Sequence, residues 1–100
     1  MYLDDIRNPK TSNNWFVVRS FKDAIFYMNK NGCPSYISFD HDLGKNEKTG
    51  FDLTKWIIEK DLNMNGKFIP QNFNFNVHSA NPIGKINIEG LLNQYIKQKG

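Results

Sequence analysis

Apolar and polar positions follow two alternating rhythms along this chain. Phe73, Phe75 and Val77 interleave with Asn74, Asn76 and His78, a period of two that predicts a strand with one polar face. Such a strand belongs at a sheet edge rather than in a covered middle position. Trp15 to Val18 is a β-branched and aromatic run and predicts another strand. Tyr2 to Ile6 and Ser35 to Phe39 predict two more. Elsewhere the rhythm is helical. Phe21, Ala24, Ile25 and Met28 stand at i, i+3, i+4 and i+7, with Ser20 and Asp23 ahead at capping-box spacing and Gly32 behind as a stop. Gly50 to about Leu62 predicts a second helix, with Leu53, Trp56, Ile57 and Lys60 on one side and the Lys60 head reaching water. Asn81 and Pro82 suit the N-cap and first residue of a third, which carries Ile88, Leu91, Leu92, Tyr95 and Ile96. Gly90 inside it costs about 1 kcal/mol relative to Ala, which reads as a mark of close packing.

The order is therefore strand, strand, helix, strand, helix, strand, helix, with polar loops at Asn8 to Asn14 and Lys45 to Thr49. Alternating strands and helices imply a mainly parallel sheet with right-handed crossovers. In such sheets ligands bind beyond the carboxyl ends of the strands, where strand order reverses. A chain of 100 residues leaves room for one core, so residues 1–100 are expected to form one domain. The 39% hydrophobic and 23% charged content sets it apart from disordered chains.

Charge and cysteine narrow the classes further. The net charge of +3 mildly favours anionic partners. Its lysines are scattered, so no dense basic patch for duplex DNA is expected. The lone Cys33 excludes a disulfide framework and a cysteine zinc site, and reads as inert. No apolar run is long enough to span a membrane, and Met1 to Asp5 lacks a signal-peptide pattern. The cytoplasm is the expected compartment.

The candidate chemistry collects at strand ends. The first strand runs into Asp4 and Asp5, the third into Asp40, His41 and Asp42, and the fourth into His78, Ser79, Ala80 and Asn81. The chain's two histidines thus end two strands expected to be neighbours, about 4.8 Å apart. Two imidazoles over one phosphate can divide acid and base work near neutrality. Asp5, Asp40 and Asp42 can orient them. Arg7, Ser79 and the helix start at Asn81 can hold phosphate oxygens. Each residue also has a bland reading. A strand-end histidine can be a satisfied structural residue, Asp4 and Asp5 can simply start a turn, and Asn81-Pro82 is sufficient as a cap. Asp52 reads as a solvated first-turn residue, and Trp15, Trp56, Phe73 and Phe75 as packing.

These strand ends resemble a receiver domain. Leu3-Asp4-Asp5 resembles its magnesium-binding acidic pair, Ile37-Ser38-Phe39-Asp40 the strand ending in its phosphoacceptor, Gly50-Phe51-Asp52-Leu53 its turn into the next helix, and Val77-His78-Ser79-Ala80 its fourth strand. The chain departs from signalling receivers in having no fifth strand and no strand-end lysine. Three segments are similar to the truncated receiver-like "cyclic-phosphate processing" family of bacteria and phages: Leu3 to Pro9, Ser38 to Gly44, and His78 to Gly84 with Asn87. The resemblance implies a small three-layer flavodoxin-like α/β sandwich, with a four-stranded parallel sheet in the order 2-1-3-4 and helices on both faces. It implies a site of Asp5, Arg7, Asp40, His41, Asp42, His78, Ser79 and Asn81, with Asp4 matching the acidic pair.

The expected activity is hydrolysis of a cyclic phosphate on a small nucleotide or RNA end. His41 and His78 act as acid and base, Asp40 and Asp42 orient them, and Asp5, Arg7, Ser79 and Asn81 hold the substrate. A metal-free route is favoured. Mg²⁺ or another divalent ion on Asp4, Asp5 and Asp40 is the variant, and the histidines could instead join a transition ion. Two other classes stay open. One is a non-catalytic binder that sequesters a cyclic nucleotide signal, as a phage protein would to blunt host defence. The other is a degenerate phosphoacceptor using Asp40. The oligomeric state is open, since an exposed fourth strand offers a pairing edge.

Overall fold

The computed structural model describes residues 1–9 and 15–99. Its elements are β1 (Tyr2–Leu3), β2 (Val17–Val18), α1 (Phe21–Asn31), β3 (Tyr36–Phe39), α2 (Gly50–Asn63), β4 (Asn74–Val77) and α3 (Pro82–Lys99). The four strands form one parallel sheet in the order β2-β1-β3-β4. The α/β class, the strand order and the edge position of β4 are as expected, and the architecture is that of a shortened receiver-like fold. No helix among the described residues is long and apolar enough to cross a membrane.

β1 is shorter than its apolar run because Asp4 turns the chain. Its Oδ1 accepts the amides of Ile6 and Arg7 at 2.9 and 2.8 Å, and Ile6 is left exposed. The loop expected at Asn8 to Asn14 is described only for Asn8 and Pro9; positions 10–14 lie outside the described residues. Ser20 caps α1 by accepting the Asp23 amide, and Gly32 ends it at a φ of 85°, where glycine is favoured. α2 starts on a full capping box. Thr49 Oγ1 accepts the Asp52 amide, and Asp52 Oδ2 accepts the Thr49 amide at 2.8 Å, so Asp52 does more than face solvent.

The helix layers differ from expectation. Strand alternation puts Leu3, Val18, Ile37, Phe39 and Val77 on one sheet face. Ala24 and Met28 of α1, Leu53 and Ile57 of α2, and Ile88 and Leu92 of α3 bury against that face in one core. α2 packs on both α1 and α3, so the three helices form a single layer. The molecule has two layers among its described residues, not the expected three. The topology explains why. The crossovers from β2 to β3 and from β3 to β4 step the same way across the sheet, and right-handedness then puts both helices on one face. A helix on the other face would come from the β1–β2 connection, which has none among its described residues. Tyr2, Tyr36, Ser38, Asn74 and Asn76 point to that other face, where Tyr2 and Ser38 are buried and Tyr36, Asn74 and Asn76 are exposed, with the Trp15 ring edge-on to both tyrosines at 5.7 Å.

The expected role of Gly90 also fails. Nothing lies within 4 Å of where its Cβ would stand, so no close packing explains it. The tight glycines of the helices are Gly50, where a Cβ would run into the Asp40 carbonyl, and Gly84, where it would run into the His41 ring.

Candidate active site

The carboxyl ends of β1, β3 and β4 converge on two buried carboxylates. Asp4 follows β1, and its Oδ2 meets both Arg7 Nε and His78 Nε2 at 3.0 Å. Asp40 follows β3, and its Oδ1 accepts the His41 amide at 2.8 Å. The Ser79 hydroxyl stands close enough to the Asp40 carboxyl to favour its ionised form. Arg7 Nη2 lies 3.7 Å from Asp40 Oδ1, so one guanidinium bridges the two carboxylates while remaining half exposed. The turn that carries Arg7 is fixed from the sheet edge. Arg19, just after β2, donates from Nη1 to the carbonyls of Asp4 and Arg7 at 3.2 and 2.6 Å.

An open cleft of about 560 Å³ lies over this arrangement. Asp4, Asp5, Asp40 and Asp42 line it, against the cations Arg7 and Lys45, with Ser79 alongside. Gly44, at a φ of 119°, forms part of the wall. Fully ionised, these six side chains carry an excess of negative charge and would repel a phosphate.

Two effects split the buried carboxyls. Burial works to raise the Asp4 pKa, but the Arg7 and Ile6 amides, the His78 ring and the Arg7 charge outweigh it and hold Asp4 below the usual range. Asp40 goes the other way. Burial and the neighbouring Asp4 charge push it up, and Ser79, the His41 amide and Arg7 only partly oppose them. Adjacent carboxyls pushed apart in this way can serve as a fixed anion and a proton donor.

The histidines do not share one hollow, contrary to the expectation from topology, and neither lines the cleft. His78 is stacked on Tyr2 at 4.5 Å. Its Nε2 faces Asp4 and its Nδ1 meets Ser38 Oγ at 2.8 Å. An ionised carboxylate requires a proton on Nε2, which leaves Nδ1 to accept from the Ser38 hydroxyl. Both nitrogens are therefore engaged. His41 packs on the Gly84 backbone at the start of α3, and its Nδ1 meets Asp42 Oδ1 at 3.0 Å. Asn81 caps α3 by accepting the Gly84 amide, and its Nδ2 donates to Asp42 Oδ2 at 3.3 Å. Each histidine thus backs an aspartate: His78 behind Asp4, and His41 behind Asp42.

Of the residues singled out from the sequence, Asp4, Asp5, Arg7, Asp40, Asp42 and Ser79 reach the cleft, while His41, His78 and Asn81 stand behind it. Arg19, Ser38 and Lys45 went unremarked as site residues. Ser38 stands two positions before Asp40 in a strand, and that spacing was the available signal for it. The Arg19 contacts depend on which strand neighbours β1, which local pattern does not reveal.

The Mg²⁺ set expected on Asp4, Asp5 and Asp40 is not the one these side chains bring together. The atoms that could ligate an ion come from Asp4, Asp40 and His78, all within 4.8 Å of one another, and Asp5 is not in that set. One nitrogen and two carboxylates suit a transition ion better than Mg²⁺. Arg7 and His78 already share Asp4 Oδ2, so an ion there would have to displace the guanidinium.

A family model described as "Cyclic-phosphate processing Receiver domain" matches residues 1–94. No curated protein matches the chain, and no solved structure does.

Proposed function

The chain belongs to the cyclic-phosphate processing receiver domain family, and from that premise we propose that it hydrolyses a cyclic phosphate on a nucleotide or RNA end, with aspartates as the proton-transfer groups. The observation that carries this reading is the Arg7 guanidinium bridging Asp4 and Asp40 at the floor of an open cleft. Arg7, Lys45 and the Ser79 hydroxyl hold the non-bridging oxygens. Arg7 pairs with Asp4, His78 donates to the same carboxylate, and a proton on Asp40 removes one negative charge, which lowers the repulsion an anion meets in the cleft.

Water attacks phosphorus in line with one ring oxygen. Asp42, with 65% of its side chain exposed, takes the proton from the water. The ring P–O bond breaks, and Asp40 gives its proton to the departing oxygen. The product is a phosphomonoester, and solvent returns Asp42 and Asp40 to their starting states. His41 and Asn81 are positioning residues for Asp42, as His78 is for Asp4. This exchanges the roles expected from the sequence, where the histidines moved protons and the aspartates oriented them.

The test is a screen of 2′,3′- and 3′,5′-cyclic nucleotides, cyclic dinucleotides and RNA ending in a cyclic phosphate, with products separated by chromatography. Ring opening that survives EDTA and is lost in Arg7→Ala is expected. Tight binding with intact ligand recovered would make the protein a binder instead. No turnover and no binding of any of these compounds would reject the reading.

A further inference from the structure

Helix α1 buries Ala24 and Met28 in the core, yet its outer side is not uniformly polar. Phe26 leaves 73% of its surface in water. Phe16, just ahead of the edge strand β2, is 49% exposed and stacks on Tyr27 at 4.1 Å. A groove of about 560 Å³ runs between strand and helix, with Phe16 and Val17 on one wall and Asp23, Phe26, Tyr27 and Lys30 on the other. Single exposed apolar residues need no explanation, but a contiguous apolar patch with a charged rim marks an interaction surface. None of the residues lining this groove lines the acidic cleft. The charges identify the partner. Asp23, Phe26, Tyr27 and Lys30 stand at i, i+3, i+4 and i+7, one stripe along the helix with an acidic start and a basic finish. Asp23 and Lys30 are exposed, and among the described residues neither side chain has a partner within its own chain. Such a stripe complements itself. When two copies meet antiparallel about a two-fold axis between positions 26 and 27, Asp23 of each faces Lys30 of the other and Phe26 faces Tyr27. Lys22 falls opposite Asn31, so no like charges meet. A parallel pair would instead set Asp23 on Asp23 and Lys30 on Lys30.

We propose that this face of α1 is the contact surface of a two-fold dimer of the chain. Phe26 is its apolar anchor, and the two Asp23–Lys30 pairs fix the antiparallel register. Exposed ion pairs contribute little strength but exclude wrong arrangements, so burial of the rings holds the dimer together. The edge strand β4, where pairing was open from the sequence, exposes Asn74 and Asn76 rather than ring surface. The inference stands apart from the phosphate reading above.

The test is sedimentation equilibrium of the full chain at concentrations up to about 1 mM, which populate even weak pairs. A reversible monomer–dimer equilibrium is expected. Phe26→Asp should weaken association by at least about tenfold. Asp23→Lys and Lys30→Asp each set like charges opposite one another at both symmetry-related contacts, and each should weaken it by about threefold to tenfold at low salt. The chain carrying both charge reversals restores opposite charges at both contacts and should recover the dimer. All three positions are exposed, and circular dichroism checks that each variant folds. Should Phe26→Asp fail to fold, the paired charge reversals carry the test. A monomer at every concentration overturns the proposal and leaves the face to a different partner. A dimer indifferent to Phe26→Asp and to both reversals overturns it by placing the contact elsewhere. A dimer weakened by each reversal but not recovered by the two together overturns the antiparallel pairing.

Discussion

Two buried aspartates, Asp4 and Asp61, are built alike and end differently. Both are almost fully buried. Asp61 Oδ1 accepts the Phe68 and Ile69 amides at 2.9 and 2.8 Å, much as Asp4 Oδ1 accepts two amides of its own turn. Asp61 Oδ2 accepts from Tyr95 and Lys99 at 2.6 and 2.9 Å, as Asp4 Oδ2 meets His78 and Arg7. In each case burial pushes the carboxyl pKa up and the hydrogen-bond donors more than reverse it. The difference lies in what stands beside them. The Asp61 donors come from the loop after α2 and the end of α3 and tie those elements together. Asp4 has a second carboxyl next to it, Asp40, that is forced the other way. α2 and α3 both begin near the cleft and run toward Asp61. A saturated buried charge fastens a fold, whereas one with a mismatched neighbour facing solvent is equipped for proton chemistry.

That contrast can be broken most directly at Asp61. Asp61→Ala leaves two amides and the Tyr95 hydroxyl without their acceptor and Lys99 without its counter-ion, and should destabilise the protein by about 3–5 kcal/mol in chemical denaturation. Activity of the fraction still folded should be retained. If turnover falls with little loss of stability, the two aspartates do not divide as described. Arg7→Ala is the counterpart in the cleft. It should lower turnover by about 10²–10³-fold, as expected for removal of a charge-stabilising donor, with a much smaller change in stability.

The positioning roles come next in size. His41→Ala should lower kcat by about tenfold while KM stays near its original value, and His41→Asn, whose amide can still donate to Asp42, should recover part of the loss. No recovery in His41→Asn would instead mark His41 as a packing residue against Gly84. The smallest effect concerns stability. Asp40 is raised in the folded state, so its ionised form opposes folding at neutral pH, and that opposition is relieved as pH falls through the raised value. Asp40→Asn should therefore raise Tm at pH 7 by a few degrees while abolishing turnover, and the gain should vanish as pH nears the ordinary carboxylate range. Asp4 and Asp61 have the opposite sign. Their stabilisation is complete above that range and is lost as pH falls below it, which a series of thermal melts down to about pH 2 would follow.

Much of this organisation could be read from residue order alone. The period-two run ending at His78 placed β4 at an edge, and the strand-end aspartates located the cleft, because both depend on local pattern and a general rule for parallel sheets. The side of the sheet each helix takes was not legible in that way. It follows from the direction of successive crossovers and from a β1–β2 connection with no helix among its described residues. The placement of the histidines behind the aspartates was hidden for a similar reason. Strand-end position says that His78 is near Asp4, but only the side chain's orientation toward Asp4 and Ser38 shows that the carboxylate, not the ring, faces the cleft. Asp61 was passed over because a lone acidic residue near a helix end has no pattern. Its four donors come from the α2–β4 loop and the far end of α3.

The bare side of the sheet has a consequence for how such a protein can change over generations. Most of its interior lies on the opposite side, and Tyr36, Asn74 and Asn76 are exposed positions outside the core. Replacing residues of that kind usually alters stability by no more than about 0.5 kcal/mol. Lineages can therefore change the chemistry of that surface with little effect on the fold.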